Sequence, residues 1–232
     1  VYAQSYQGIF TGTSYTVTVG AGSPGSLANS GSPQPNGSNS AFGDLVGLGG
    51  GGGANSGGQD GNSNPSGAYD NARNGGDGKS VIFDVWGNDI RTYLNAQGIT
   101  GGTPSGTWND FRMGSGGGNG VDGGGPSPTP YGFGGSGSSW SGYPHTGGDG
   151  GSDSPARNAN SACAYTGSGG GGGANNPGGG ASPAGGNGSS GSIVIRYDEY
   201  FNNAASTSGS VLYSRLDGYR FFHFLGSGSI TF

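Results

Sequence analysis

The chain has 232 residues, 60 of them glycine, with only 29% hydrophobic and 9% charged residues and a formal net charge of −5. Its 8 Lys and Arg side chains are scattered, so no basic cluster exists to neutralise phosphates, which excludes a nucleic-acid surface. No apolar run approaches the roughly eighteen residues of a membrane span, and the single cysteine, Cys163, excludes an intrachain disulfide framework.

Residues 9–20 hold the best strand signal, because Tyr15, Val17 and Val19 alternate with threonines. Residues 21–41 are Ser, Asn, Pro and Gly and read as turns or extended loop. Ala41 to Leu48 form a short apolar element that runs into the tract Gly49–Gly53. Residues 80–113 read as a compact insert. A strand at 80–86 precedes a helix over 88–97, capped by Asn88 or Asp89 and ended by Gly98. Trp86, Tyr93, Trp108 and Phe111 would form its small core. Glycine-rich sequence resumes over 114–191, with prolines at 126, 128 and 130 and a second pure tract at Gly169–Gly173. Ser192 to Tyr197 is a clear strand, followed by strand candidates at 200–201, 211–216 and 219–225. Residues 228–232 are expected to pair with 219–225 across a turn at Gly226-Ser227.

The predicted fold is mainly β with little helix. A β segment at 1–20 and another at 192–232 flank a glycine-rich body at 21–191, and the C-terminal segment packs on the N-terminal strands or on neighbouring subunits. A flexible spacer would explain the glycines but not the 12 Tyr, 10 Phe and 3 Trp. Glycine in the extended left-handed form repeats every three residues, rises about 3.1 Å per residue and has no bonds within the strand. Its peptide groups must therefore bond to neighbouring helices, which the absent Cβ atoms allow. Each such bond nets about 1 kcal/mol against about 1–2 kcal/mol of backbone entropy per residue. The polyglycine II-type lattice thus needs terminal strands and flanking aromatics to fix its register.

The stretches SYTVTVGAG at 14–22, NGSNSAFGDLVGLGGGGG at 36–53, TGSGGGGGANNPGGG at 166–180 and GGNGSSGSIVIRY at 185–197 resemble the glycine-rich domain of bacteriophage tail-fibre and adhesin proteins. GYRFFHFLGSGSITF at 218–232 is similar to a segment that commonly adjoins such domains. The resemblance implies a sandwich of polyglycine II helices with receptor-binding loops at its distal end. It also implies a place on the virion, among other virion or fibre subunits, and attachment to a bacterial outer-membrane protein or surface glycan.

Tyr131, Phe133, Trp140, Tyr143 and His145 interleave aromatics with glycine, and are the candidate receptor-binding residues; the competing reading lays their rings on the glycine lattice as apolar cover. Tyr15, Val17, Val19, Ile193, Ile195, Tyr219, Phe221, Phe222 and Phe224 are the candidate structural and assembly residues. The phenylalanine-rich end is expected to leave apolar surface exposed in a monomer and so to favour a homo-oligomer. Deleting 210–232 should then disrupt assembly and spare the glycine lattice. His223 reads as structural. His145 lies near Asp149 and Asp153, but the aspartate turns lack the glutamate and spacing of a calcium loop. Gly50–Gly53 lacks the following Gly-Lys-Ser/Thr of a phosphate loop. No catalytic constellation, metal or cofactor is expected. The favoured function is a phage fibre or adhesin protein, and its first rival a purely structural glycine-rich protein of a virion, filament or coat. An ice-binding role is disfavoured by irregular spacing.

Overall fold

The computed structural model describes residues 8–25, 27, 35–49, 79–80, 112–113, 152–153, 156–162, 164–173, 184–216 and 218–232. The predicted helix at 88–97 and most of the insert lie outside the described residues, among which every regular element is a strand. These are β1 (Ser14–Thr18), β2 (Ser40–Phe42), β3 (Leu45–Gly47), β4 (Lys79–Ser80), β5 (Arg112–Met113), β6 (Ser152–Asp153), β7 (Ala156–Arg157), β8 (Ile193–Asp198), β9 (Ser206–Ser208), β10 (Val211–Leu216), β11 (Tyr219–Phe224) and β12 (Gly228–Thr231).

Two sheets hold the core. One runs β3-β2-β1-β12-β9 and the other β10-β11-β8, while β4-β5 and β6-β7 form separate two-stranded ladders. In β1 the alternation turns Tyr15 and Val17 inward and leaves Ser14, Thr16 and Thr18 exposed. Its inner face continues across the sheet because Val17 sits opposite Phe42 and Tyr15 opposite Ile230. The turn between β2 and β3 places Gly43 at φ 55°, the glycine-favoured conformation of a tight hairpin. Gly218, at φ 79°, does the same between β10 and β11.

Strand β11 is the centre of the second sheet and is buried on both faces. Phe222 and Phe224 point at the first sheet and join Val17, Phe42 and Ile230 in one cluster. Tyr15, Val19, Ile193, Ile195 and Tyr197 pack around it. Tyr197 stacks on Phe222 with ring centroids 6.0 Å apart and meets Phe232 edge-on at 5.5 Å. Phe221 and His223 occupy the opposite face of β11 and are also buried.

Three expectations are overturned. Residues 228–231 do not pair with β11; they cross to the other sheet and pair with β1 and β9. Ser227 anchors that crossing, its hydroxyl oxygen accepting the Val19 N–H at 2.9 Å. Tyr200 and Phe201 are not a strand, because Asp198 folds the chain back by accepting N–H bonds from both residues. Finally, Phe221, Phe222 and Phe224 are buried within the chain and offer no apolar surface. Deleting 210–232 would therefore remove the core side chains Phe222, Phe224 and Ile230 together with β12, the antiparallel partner of β1.

Candidate functional site

The glycine body is built from extended segments that exchange backbone hydrogen bonds in more than one plane. Segment 184–191 shows the rule. Gly186 and Ser189 donate to Gly171 and Ser168 at 2.8 Å each. Gly188 and Gly191 donate to Ser23 and Gly20 at 2.9 and 3.0 Å. The carbonyls of Ala184 and Asn187 accept from Ala159 and Ala162 at 2.9 and 2.8 Å. Every third residue thus addresses the same neighbour, and three neighbours surround one segment. A β-strand, with its period of two, bonds to neighbours on two sides only. A repeat of three with outward peptide groups is the signature of polyglycine II-type packing.

The neighbours are themselves joined. Gly171 donates to the Asn160 carbonyl at 3.0 Å, which closes a triangle of segments. Ser38 donates to Ala21 at 2.9 Å and ties in residues 35–39. Side chains patch the ends: the Asn187 Oδ1 accepts the Gly25 N–H at 2.6 Å, and the Asn158 Oδ1 accepts that of Ala184 at 2.9 Å. Close approach explains the composition. A Cβ added at Gly22, Gly170 or Gly186 would overlap the backbone of Gly188, Gly186 or Asn160 respectively. The tract 169–173 is buried throughout.

The bundle and the sheets are continuous. Segment 184–191 leads directly into β8, and segment 19–25 follows directly from β1. The Ser40 hydroxyl in β2 accepts the Gly20 N–H at 2.9 Å. The register of the bundle is therefore set by side-chain packing in the core beside it.

Of the predicted assembly residues, Tyr15, Val17, Val19, Ile193, Ile195, Phe222 and Phe224 come together in that core. Phe221 and Tyr219 do not, since alternation turns them to the other face of β11. There Tyr219 lies under the Arg196 guanidinium, 4.2 Å from its ring centroid. Burial pushes the His223 imidazole down to about 4, so the ring is neutral around pH 7. Tyr131, Phe133, Trp140, Tyr143 and His145 lie outside the described residues. Among the described residues no three His, Cys, Asp or Glu side chains gather. No described helix is long and apolar enough to cross a membrane.

One feature went unread in the sequence: the connection between β8 and β9 is an aromatic turn held by several hydrogen bonds. Arg220 donates to the carbonyls of Phe201 and Glu199, each at 3.3 Å, and to the Tyr213 hydroxyl at 2.8 Å. Arg215 clamps the Glu199 side chain at 2.6 Å. The Ala204 N–H donates to the Tyr197 hydroxyl at 3.0 Å, fixing the far side of the turn to the core rim. Desolvation holds the Tyr197 phenol above its ordinary value. The turn leaves Tyr200 91% and Phe201 63% exposed. An aspartate two residues ahead of an unpatterned aromatic pair was the available signal.

A family profile described as a glycine-rich domain matches residues 1–198. The chain belongs to this glycine-rich domain family. No curated protein and no solved structure matches it. The profile ends at the last residue of β8, so the glycine-rich domain match includes the whole bundle and omits the strands that complete its core.

Proposed function

We propose that this glycine-rich domain is part of a bacteriophage fibre or adhesin that attaches the virion to a bacterial outer-membrane protein or surface glycan. The observation that carries the reading is segment 184–191, bonded to three neighbours at once. Such packing makes a stiff, charge-poor support that needs few large side chains, so its connections can vary without disturbing a core. Gly49 and Asn158 both lie next to bundle segments, and the stretch between them carries Tyr131, Phe133, Trp140, Tyr143 and His145. The end motifs at 14–22 and 185–197 support the phage setting.

Contacts with other virion or fibre subunits, including copies of this chain, are assigned to other surfaces than the phenylalanines of β11. Val46 and Leu48 are exposed at the edge strand β3 of the five-stranded sheet and just after it, and apolar side chains beside an open sheet edge suit subunit pairing.

The test is adsorption of the labelled full chain to intact bacteria, competed by purified outer-membrane protein or surface polysaccharide. Saturable, competed adsorption supports attachment. Its absence across phage-susceptible strains would leave the purely structural reading, in which the domain builds a virion, filament or coat without a receptor.

A further inference from the structure

We infer that the turn at residues 198–203 is a carbohydrate-binding site that takes a short neutral glycan on the exposed rings of Tyr200 and Phe201. This deepens, and rests on, the attachment reading. Exposure of two adjacent aromatic rings is costly in water, and here it is enforced. The turn is fixed by the two N–H bonds that Asp198 accepts and by the Arg220 guanidinium behind Phe201 and Glu199. The rings meet edge to face, 6.2 Å apart and 81° between planes. They therefore form a corner with one face and one edge presented outward, on a backbone turn that is held before any ligand arrives.

The size and charge of the corner identify its occupant. Two aromatic side chains offer about 300–500 Å² at most, below the roughly 800 Å² per partner of a stable protein interface. A second copy or a folded receptor is therefore a poor fit, and a small ligand a good one. The acids Asp198 and Glu199 are balanced by Arg215 and Arg220, with Glu199 paired to Arg215, so the turn selects no net charge. A pyranose ring supplies what remains: a C–H face to lie on an aromatic face, and hydroxyls at its rim. The exposed amides of Asn202 and Asn203 follow the rings directly, and each offers both donors and an acceptor to such hydroxyls.

The experiment places the full chain on a panel of immobilised neutral gluco-, galacto- and manno-oligosaccharides with acidic oligosaccharides alongside, and measures adsorption to intact bacteria in parallel. Tyr200→Ala and Phe201→Ala are compared with wild type and with Phe10→Ala, a control that removes an exposed ring elsewhere. The expected result is wild-type binding to at least one neutral glycan, weakened at least about tenfold in both turn variants, with Phe10→Ala unchanged and all four proteins melting alike. Wild-type binding to acidic glycans alone, to no glycan, or equally by wild type and turn variants overturns the inference. The cell measurement separates the two levels. Adsorption that survives Tyr200→Ala leaves attachment standing while the turn falls, whereas no adsorption by wild type removes the attachment reading itself.

Discussion

Replacing Gly186 by alanine tests whether the bundle is held by backbone approach. The position where its Cβ would stand is already occupied by the Asn160 carbonyl, with the Ser161 nitrogen close by. Backbone on that side cannot swing away as a side chain could, so segment 158–162 has to move. That motion strains the bonds Ala159 to Ala184, Ala162 to Asn187 and Gly171 to Asn160. Losing two of them costs about 2–3 kcal/mol, and the overpacking adds about 1–3 kcal/mol. Alanine stiffens the unfolded chain and returns about 0.4–1 kcal/mol. The net loss is about 2–6 kcal/mol, a large part of the roughly 5–15 kcal/mol that stabilises a typical domain. Gly226→Ala is the internal control. Its added Cβ would meet only the Ser210 Cβ at 3.5 Å, an ordinary contact, and the change should be neutral or slightly stabilising. Urea unfolding followed by intrinsic fluorescence reads both, and amide exchange at Gly186, Gly188 and Gly191 reads the bundle directly. Equal midpoints for Gly186→Ala and wild type, or a larger loss at Gly226, would refute a bundle that excludes Cβ atoms.

Three further outcomes are expected. Phe224→Ala, at a fully buried site in the sandwich, should cost about 3–5 kcal/mol, while Phe201→Ala should change the melting temperature little; a reversed order would misplace the core. The His223 imidazole titrates near 6.5 when unfolded and about 4 when folded, so as pH falls from 6.5 to 4 only the unfolded state gains the proton. Stability is then lost across that window by about 3 kcal/mol, and His223→Phe should flatten the fall between pH 7 and pH 4.5 in urea titrations; an unchanged slope would deny the histidine this role. A chain ending at Gly209 should lose both near-ultraviolet dichroism and exchange protection at Gly186 and Gly188. Retained protection would mean the bundle stands without β11 and β12.

The β elements were legible where side chains mark faces. Tyr15, Val17 and Val19 announce β1 by alternation, and the β-branched run of residues 193–195 announces β8. Pairing was not legible, since residues 228–231 are compatible with either neighbour and the choice rests on Ser227 crossing to Val19. Nor could the sequence reveal that Phe221 and Phe222 are both buried, because that requires cover on both faces of β11. The lattice was foreseeable from glycine's chemistry, but its partners were not. Gly186 and Gly188 look alike in sequence and differ only in which neighbour receives their N–H groups. The turn at Tyr200 was misread because β propensity in two aromatics lost to the local bonds of Asp198.

The most connected strand of the bundle is also its last to be synthesised. The Gly20 and Ser23 carbonyls wait for Gly191 and Gly188 before they find partners, an interval on the order of 10–30 s at ordinary translation rates. Assembly is thus a late, single closure around the emerging C-terminal third, slow in the way of folds dominated by distant contacts. A waiting stretch made of glycine and serine has little greasy surface with which to stick to its neighbours on the polysome.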